Sequence, residues 1–418
     1  MIVFLVACLA FYVAWSLGAN DVANAMGTSV GSKAVSLRQA LFIAGILEFT
    51  GALLFGHEVS QTLATEIVNP ALFASTPQLL LTGMIAVLLA CGLWLFIATW
   101  RGLPVSSSHA VVGAIAGFSG CYAGISAIDW SSIGLIAIGW IVTPILSATI
   151  AALFYSQIKR WILDQPHPLV HLGEWIPWLS TGLVSVFGVI VLPAITQTPL
   201  FASLPIPAQD INLAIGAVAA MGITLYNWRQ LESSQIETSE IQNPQSTIHN
   251  PHERIFARFQ LLSACFVAFA HGSNDVGNAI APLAAIIYIN RTGNVPTGAI
   301  NIPTWVLLIG AAGIVTGLAI WGKKVITTIG ESIIPLQPSS GFCAELATAT
   351  TILLASRFGL PVSTSHALVG AVVGIGLVQN LKSIQLQTLQ GIAAAWVITI
   401  PASAGLSAVI FTVIRFFS

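Results

Sequence analysis

The chain has 418 residues, a formal net charge of −1, 56% hydrophobic residues and only 7% charged ones. A soluble domain carries about 25% charged residues, so this chain cannot cover a water-facing surface and lipid must be its solvent. The near-zero charge implies no nucleic-acid partner, and the five cysteines (Cys8, Cys91, Cys121, Cys265, Cys343) form no CxxC pair, which argues against a zinc site or disulfide framework.

Apolar segments fall at about 1–33, 37–56, 78–100, 104–124, 131–158, 175–195, 209–228, 255–290, 303–322, 340–357, 361–381 and 388–413. Runs such as Gln78 to Trp100 exceed the roughly 20 residues that cross a bilayer as a helix. They lack the alternation of barrel strands. The expected fold is an all-α polytopic membrane protein with about twelve transmembrane segments. The apolar N-terminus has no Lys or Arg before it, which argues against a cleaved signal peptide. With the N-terminus outside, Lys33, Arg38, Arg101, Lys159, Arg160, Arg229, Arg254, Arg258, Lys323, Lys324 and Lys382 fall inside, and only Arg291, Arg357 and Arg415 outside. That predicts both termini outside and the polar stretch from Gln230 to Glu253 as a cytoplasmic linker. The domains expected are 1–158 and 254–418 as two repeats, 159–229 as connecting segments and 230–253 as the linker.

Two motifs recur in the same order. Gly18-Ala19-Asn20-Asp21-Val22-Ala23-Asn24-Ala25 returns as Gly272-Ser273-Asn274-Asp275-Val276-Gly277-Asn278-Ala279. The run Leu103-Pro104-Val105-Ser106-Ser107-Ser108-His109-Ala110 returns as Leu360-Pro361-Val362-Ser363-Thr364-Ser365-His366-Ala367. This is an internal duplication. An odd number of expected crossings separates the copies, so they are predicted to be inverted, with interrupted helices at the Asn-Asp stretches, the sequence sign of a secondary transporter.

The polar residues fix the chemistry. Asn20 and Asn24 stand one above the other if helical, with Asp21 beside them, and Asn274, Asp275 and Asn278 repeat the set. Gly18 and Gly272 are read as points where the backbone breaks. Hard oxygen ligands suit Na⁺, so Asp21, Asn24, Asp275 and Asn278 are candidate Na⁺ ligands, while a carboxylate could equally take H⁺. A packed polar patch between helices is the alternative. An intramembrane acid costs about 2.5–3.5 kcal/mol, which weighs against that patch occurring twice. Glu48 and Glu345 also lie inside crossings and are read as ion or proton ligands, or as neutral carboxyls held by hydrogen bonds. Ser106, Ser107, Ser108 and Ser363, Thr364, Ser365 follow a proline and form two anion cradles at helix starts; simple N-capping needs only one hydroxyl of each three. Asn20 and Asn274 are candidates to touch the anion or frame the ion. His109 and His366 either meet substrate, switch with pH, or pack the loop, and His271 and His57 are read as structural. No motif contains Lys or Arg, so an anion entering beside these acids would need cations first: the residues predict symport.

Through these residues, together with Gly27-Thr28-Ser29-Val30-Gly31-Ser32 and the stretch from Glu253 to Gln260, the chain resembles the inorganic phosphate transporter (phosphate/sodium symporter) family over nearly its whole length. The resemblance implies inverted repeats, Na⁺- or H⁺-driven phosphate uptake and a homodimer. It carries the family's acids onto Asp21, Asp275, Glu48 and Glu345, and its hydroxyl turns onto Ser106–Ser108 and Ser363–Ser365. Met26 and Gly277 depart from it where an aromatic and an alanine are usual. The short linker resembles bacterial members and implies a plasma (inner) membrane location. The expected function is cation-coupled symport of inorganic phosphate, with no cofactor beyond Na⁺ or H⁺ and no enzymatic activity. A sulfate permease on the same scaffold is the nearest rival, then an anion channel. A membrane-embedded hydrolase lacks a nucleophile elbow.

Overall fold

The computed structural model describes residues 2–196, 206–237, 248, 250–329 and 334–417. Its helices are α1 (Ile2–Gly31), α2 (Leu37–Thr65), α3 (Pro77–Arg101), α4 (Ser107–Ala123), α5 (Trp130–Ile158), α6 (Pro168–Ile190) and α7 (Leu192–Thr196), then α8 (Ala208–Glu237), α9 (Pro251–Thr292), α10 (Thr304–Ile329), α11 (Pro338–Arg357), α12 (Thr364–Gln379) and α13 (Leu386–Phe417). Among the described residues the only β pairing is an isolated bridge between Val68 and Ile128.

Local signals set the helix ends. Ser36 and Gln39 form a capping box at the start of α2. Pro77 opens α3, and Gly102 closes it in the left-handed region at φ 68°. Asp129 caps α5 by accepting from the backbone N–H groups of Ser131 and Ser132 at 3.0 and 3.1 Å. Large apolar side chains such as Phe42, Trp178, Val397 and Phe416 face outward, as they must where the surroundings are hydrocarbon.

Nine helices among the described residues are long and apolar enough to cross a membrane: α1, α2, α3, α5 with the turn after it, α6, α8, α9, α10 and α13. The chain is a multi-pass membrane protein. Three of the twelve expected crossings, α4, α11 and α12, are not among the nine. The reason is physical: α4 and α12 have 17 and 16 residues, about 25 Å at 1.5 Å per residue, against a hydrocarbon core about 30 Å thick. α11 has 20 residues but carries Ser339, Ser340, Glu345, Thr348, Thr350 and Thr351. α8 runs on to Glu237 and α9 starts at Pro251, so Glu232 and Glu237 ride on a helix. The linker's positions 238–247 and 249 lie outside the described residues.

The expected interruptions do not occur. α1 is a continuous helix of 30 residues through Asn20, Asp21 and Asn24, and α9 one of 42 residues through Asn274, Asp275 and Asn278. Gly18 and Gly272 serve close packing instead. A Cβ on Gly18 would overlap the carbonyl oxygen of Ile314 in α10, and one on Gly272 that of Glu48 in α2. These contacts belong to a crosswise pattern: α1 packs on α10 and α9 on α2, while α4 packs on α13 and α12 on α5. Each long partnership joins the first motif-bearing half of the chain to the second. The chain breaks helical continuity at the two Pro-Val-Ser turns, between α3 and α4 and between α11 and α12.

Candidate functional site

Both octets lie wholly in the interior, with Asn20, Asp21 and Asn24 between 2% and 5% exposed and Asn274, Asp275 and Asn278 at 1% or less. Each octet is tied to the hairpin turn of its own half. Asn20 Nδ2 donates to Thr99 Oγ1 at 2.9 Å and to the Leu103 carbonyl at 3.5 Å. Asn274 Nδ2 donates to Ser356 Oγ at 2.9 Å and to the Leu360 carbonyl at 3.2 Å. Each octet also reaches the turn of the other half. Asn24 Nδ2 lies 3.4 Å from Thr364 Oγ1, and Asn278 Nδ2 3.2 and 3.3 Å from Ser107 and Ser108 Oγ. All four polar segments of the sequence therefore converge on one place.

The hydroxyls divide by role. Ser106 and Ser363 are N-caps, accepting the backbone N–H of His109 and His366 at 3.3 Å in both halves. Ser107, Ser108, Thr364 and Ser365 occupy the first helical turns, whose N–H groups have no intrahelical acceptor. Two helix N-termini thus bring unpaired N–H groups, hydroxyls and their positive dipole ends into one interior region, which suits a tetrahedral oxyanion. His109 and His366 stand behind the turns. Their Nδ1 atoms lie 3.2 Å from the Trp396 carbonyl and 3.1 Å from the Trp140 carbonyl, and their rings meet edge-on at 4.7 Å. A carbonyl only accepts, so each Nδ1 carries the proton, and the geometry is that of histidines packing the turns.

The acids face the same region. One ligand atom each of Asp21, His271 and Asp275 lie within 4.8 Å of one another. Thr364 Oγ1 donates to Asp275 Oδ2 at 3.1 Å, and Asn24 Nδ2 approaches Asp21 Oδ1 at 3.3 Å. Asn20 Oδ1, Asp21 Oδ2, Asn274 Oδ1, Asp275 Oδ1 and Asn278 Oδ1 are buried with no hydrogen-bond partner among the described residues. All five are acceptor oxygens, four of them at matching positions of the two octets. Buried acceptors want donors or cations, and hard oxygens are the ligand type of Na⁺. Asn20 and Asn274 turn their N–H groups to the hairpins and leave their oxygens to the site, so they are better placed to frame an ion than to donate to an anion.

Glu48 and Glu345 fall into different environments. Glu48 Oε1 lies 3.2 Å from His271 Nδ1, and His271 Nε2 lies 2.9 Å from Asp275 Oδ2, all fully buried. His271 links Glu48 to the octet. A neutral imidazole has one N–H, so facing carboxyl oxygens with both nitrogens requires an added proton on the ring or on a carboxyl. Glu345 sits apart, its Oε1 accepting from Thr28 at 2.7 Å, Ser29 at 2.6 Å and Gln260 at 3.0 Å, its Oε2 from Ser263 at 2.8 Å. Ser32 extends the cluster by donating to Gln260 Oε1 at 2.7 Å. The counterparts of Thr28, Ser29 and Ser32 in the second octet helix are Pro282, Leu283 and Ile286, so this polar cluster exists in one half only.

Sequence reasoning undervalued His271, which repeats no histidine of the first octet; its spacing of four from Asp275 was the available signal. Thr28 and Ser29, one turn beyond Asn24, were equally visible. Gln260, Ser263, Thr99 and Ser356 carry no such mark, because their roles depend on which helix lies opposite.

A model of the phosphate transporter family matches residues 17–407. The chain is 42% identical over 419 residues to the chloroplastic inorganic phosphate transporter 2-1 of Arabidopsis thaliana, covering 96% of this chain and 70% of that protein. It superposes on a solved structure titled the sodium-dependent phosphate transporter with a TM-score of 0.88 and 34% identity, covering all of both chains. The chain belongs to the phosphate transporter family.

Proposed function

We propose that the protein carries inorganic phosphate across the membrane by symport with a cation, Na⁺ or H⁺. The observation that carries this reading is the set of buried, unpartnered acceptor oxygens on Asn20, Asp21, Asn274, Asp275 and Asn278, beside the converging helix starts of α4 and α12. The donors suit an oxyanion, and the acids oppose it until a cation has neutralised them. Cations bind first at Asp21 and Asp275 with the asparagine oxygens, and the anion follows at Ser107, Ser108, Thr364 and Ser365. Glu48, through His271, supplies a proton-holding group at the same site, and Glu345 with its hydroxyl cluster serves as a separate cation or proton ligand. Phosphate at neutral pH keeps a proton to donate to a carboxylate or asparagine oxygen, whereas sulfate has none, which favours phosphate.

The two halves are inverted in this reading. Their Ser turns touch, Ser108 Oγ donating to the Val362 carbonyl at 2.8 Å, so the turns lie at one depth. Two hairpins entering from opposite faces, α3–α4 and α11–α12, bring them together near the midplane, where rocking of one half against the other exposes the site alternately.

Isothermal titration of the purified protein tests the site. Phosphate is expected to bind in Na⁺ or at acidic pH and to bind at least about ten-fold more weakly in a large organic cation at alkaline pH. Equal affinity in all of these conditions would rule out cation-first binding, and stronger binding of sulfate would transfer the reading to that anion.

A further inference from the structure

The two halves repeat their hydrogen bonds closely. The ties of Asn20 and Asn274, the caps by Ser106 and Ser363, and the His109 and His366 contacts all occur twice. Among the bonds made to the carbonyls of the two hairpin turns, two have no match, and both fall on the same turn. Trp140 Nε1 donates to the Pro361 carbonyl at 3.2 Å, and Ser108 Oγ to the Val362 carbonyl at 2.8 Å. Their counterparts are Trp396 with Pro104 and Ser365 with Val105. Trp396 Nε1 is buried with no hydrogen-bond partner among the described residues, and Ser365 bonds Ser363 Oγ at 2.9 Å instead. Burial follows the same division. Pro361 and Gly359 are buried, and a Cβ on Gly359 would sit 3.0 Å from Thr62 Oγ1 of α2; Gly102 is exposed with nothing within 4 Å, and Leu103 is 42% exposed. One turn is locked and its twin is released.

A buried indole N–H without an acceptor is unfavourable, and a sequence that repeats the tryptophan but satisfies only one copy has a use for the other. We infer that Trp140 and Trp396, each assisted by Ser108 and Ser365, are alternating latches that position the hairpin turns. In the arrangement described here Trp140 and Ser108 hold the 361–363 turn. In the opposite arrangement Trp396 donates to the Pro104 carbonyl and Ser365 to the Val105 carbonyl, while Trp140 and Ser108 let go. The inference rests on the reading of the halves as an inverted pair in a transporter, and it names the groups that change partners. Each exchange trades one pair of neutral hydrogen bonds for its mirror image, so the two states stay close in free energy, as a cycling carrier needs.

The test uses the full chain with Cys8, Cys91, Cys121, Cys265 and Cys343 replaced and a single reporter, Leu360→Cys, on the locked turn. Labelling by a water-soluble maleimide is followed in detergent without phosphate. Trp140→Phe keeps the ring and removes the N–H, and is expected to raise the labelling rate about five-fold, the effect of one neutral hydrogen bond. Trp396→Phe favours the state described here and is expected to lower the rate by a similar factor. Ser108→Ala and Ser365→Ala are expected to act in the same two directions, and decide the matter if a tryptophan variant does not fold. Rates that change in the same direction for both members of a pair, or for neither, would overturn the inference. Since no phosphate is present, a failure of phosphate uptake would sink the transport reading and leave this result standing.

Discussion

Asp21 and Asp275 hold their carboxyls close enough that two unit negative charges, within 4.8 Å, repel by at least about 3 kcal/mol at an effective dielectric of about 20. His271 relieves part of that strain at Asp275, and a cation bound as proposed would relieve the rest. Asp21→Asn and Asp275→Asn keep the shape and remove the charge. Each is expected to abolish cation-dependent phosphate uptake, by about a hundred-fold or more, while the protein still reaches the membrane and elutes as a single species. Uptake that keeps its cation dependence in both variants would remove these residues from the ion site. Glu345→Gln keeps an acceptor oxygen for Thr28, Ser29 and Gln260 and turns its NH2 towards Ser263, whose hydroxyl can accept it while donating to the Gln260 carbonyl, so it removes the charge with little change of shape. It is expected to lower the apparent affinity for the coupling cation about ten-fold without changing membrane insertion, checked by uptake against cation concentration. The polar residue types and their repetition made this site legible from sequence. The role of His271 was not, because nothing in the chain's order announces that Glu48 of α2 lies against it.

Helix α1 shows how a sequence signal is outweighed by packing. Gly18 beside Asn20 and Asp21 has the composition of a helix break, yet the helix continues because α10 lies against Gly18 so closely that Ile314 leaves no room for a Cβ. Gly272 against Glu48 repeats the arrangement. Gly18→Ala and Gly272→Ala are expected to destabilise by about 1–3 kcal/mol through overpacking, seen as a lower Tm in detergent. Gly134→Ala in α5, with open space around its Cβ, is expected to leave Tm unchanged or raise it slightly, as helix propensity dictates. A Tm loss as large at Gly134 as at Gly18 would mean that close packing is not what these glycines provide. The hairpin turns, by contrast, could be read directly, since proline followed by serine marks a helix start whatever lies opposite.

Over the whole molecule, the crosswise pairing of α1 with α10, α9 with α2, α4 with α13 and α12 with α5 joins the two motif-bearing halves into one body. Hydropathy revealed the membrane and the apolar segments, and the two recurring motifs revealed the duplication. Nine of the twelve apolar segments form helices long and apolar enough to cross a bilayer among the described residues, while α4 and α12, at 17 and 16 residues, are shorter than the hydrocarbon core is thick and α11 carries a run of polar residues. The converging short helices create an interior candidate site from polar residues that are far apart in the chain, and cation-first symport is the proposal to be tested there. Reconstituted proteoliposomes loaded without phosphate test it most directly, with labelled phosphate or sulfate outside and an inward Na⁺ gradient, an inward H⁺ gradient, or neither. Phosphate is expected to accumulate above its outside concentration under at least one of the two gradients and not without a gradient, and sulfate to accumulate little. Phosphate accumulation that is indifferent to both gradients would rule out cation-coupled symport.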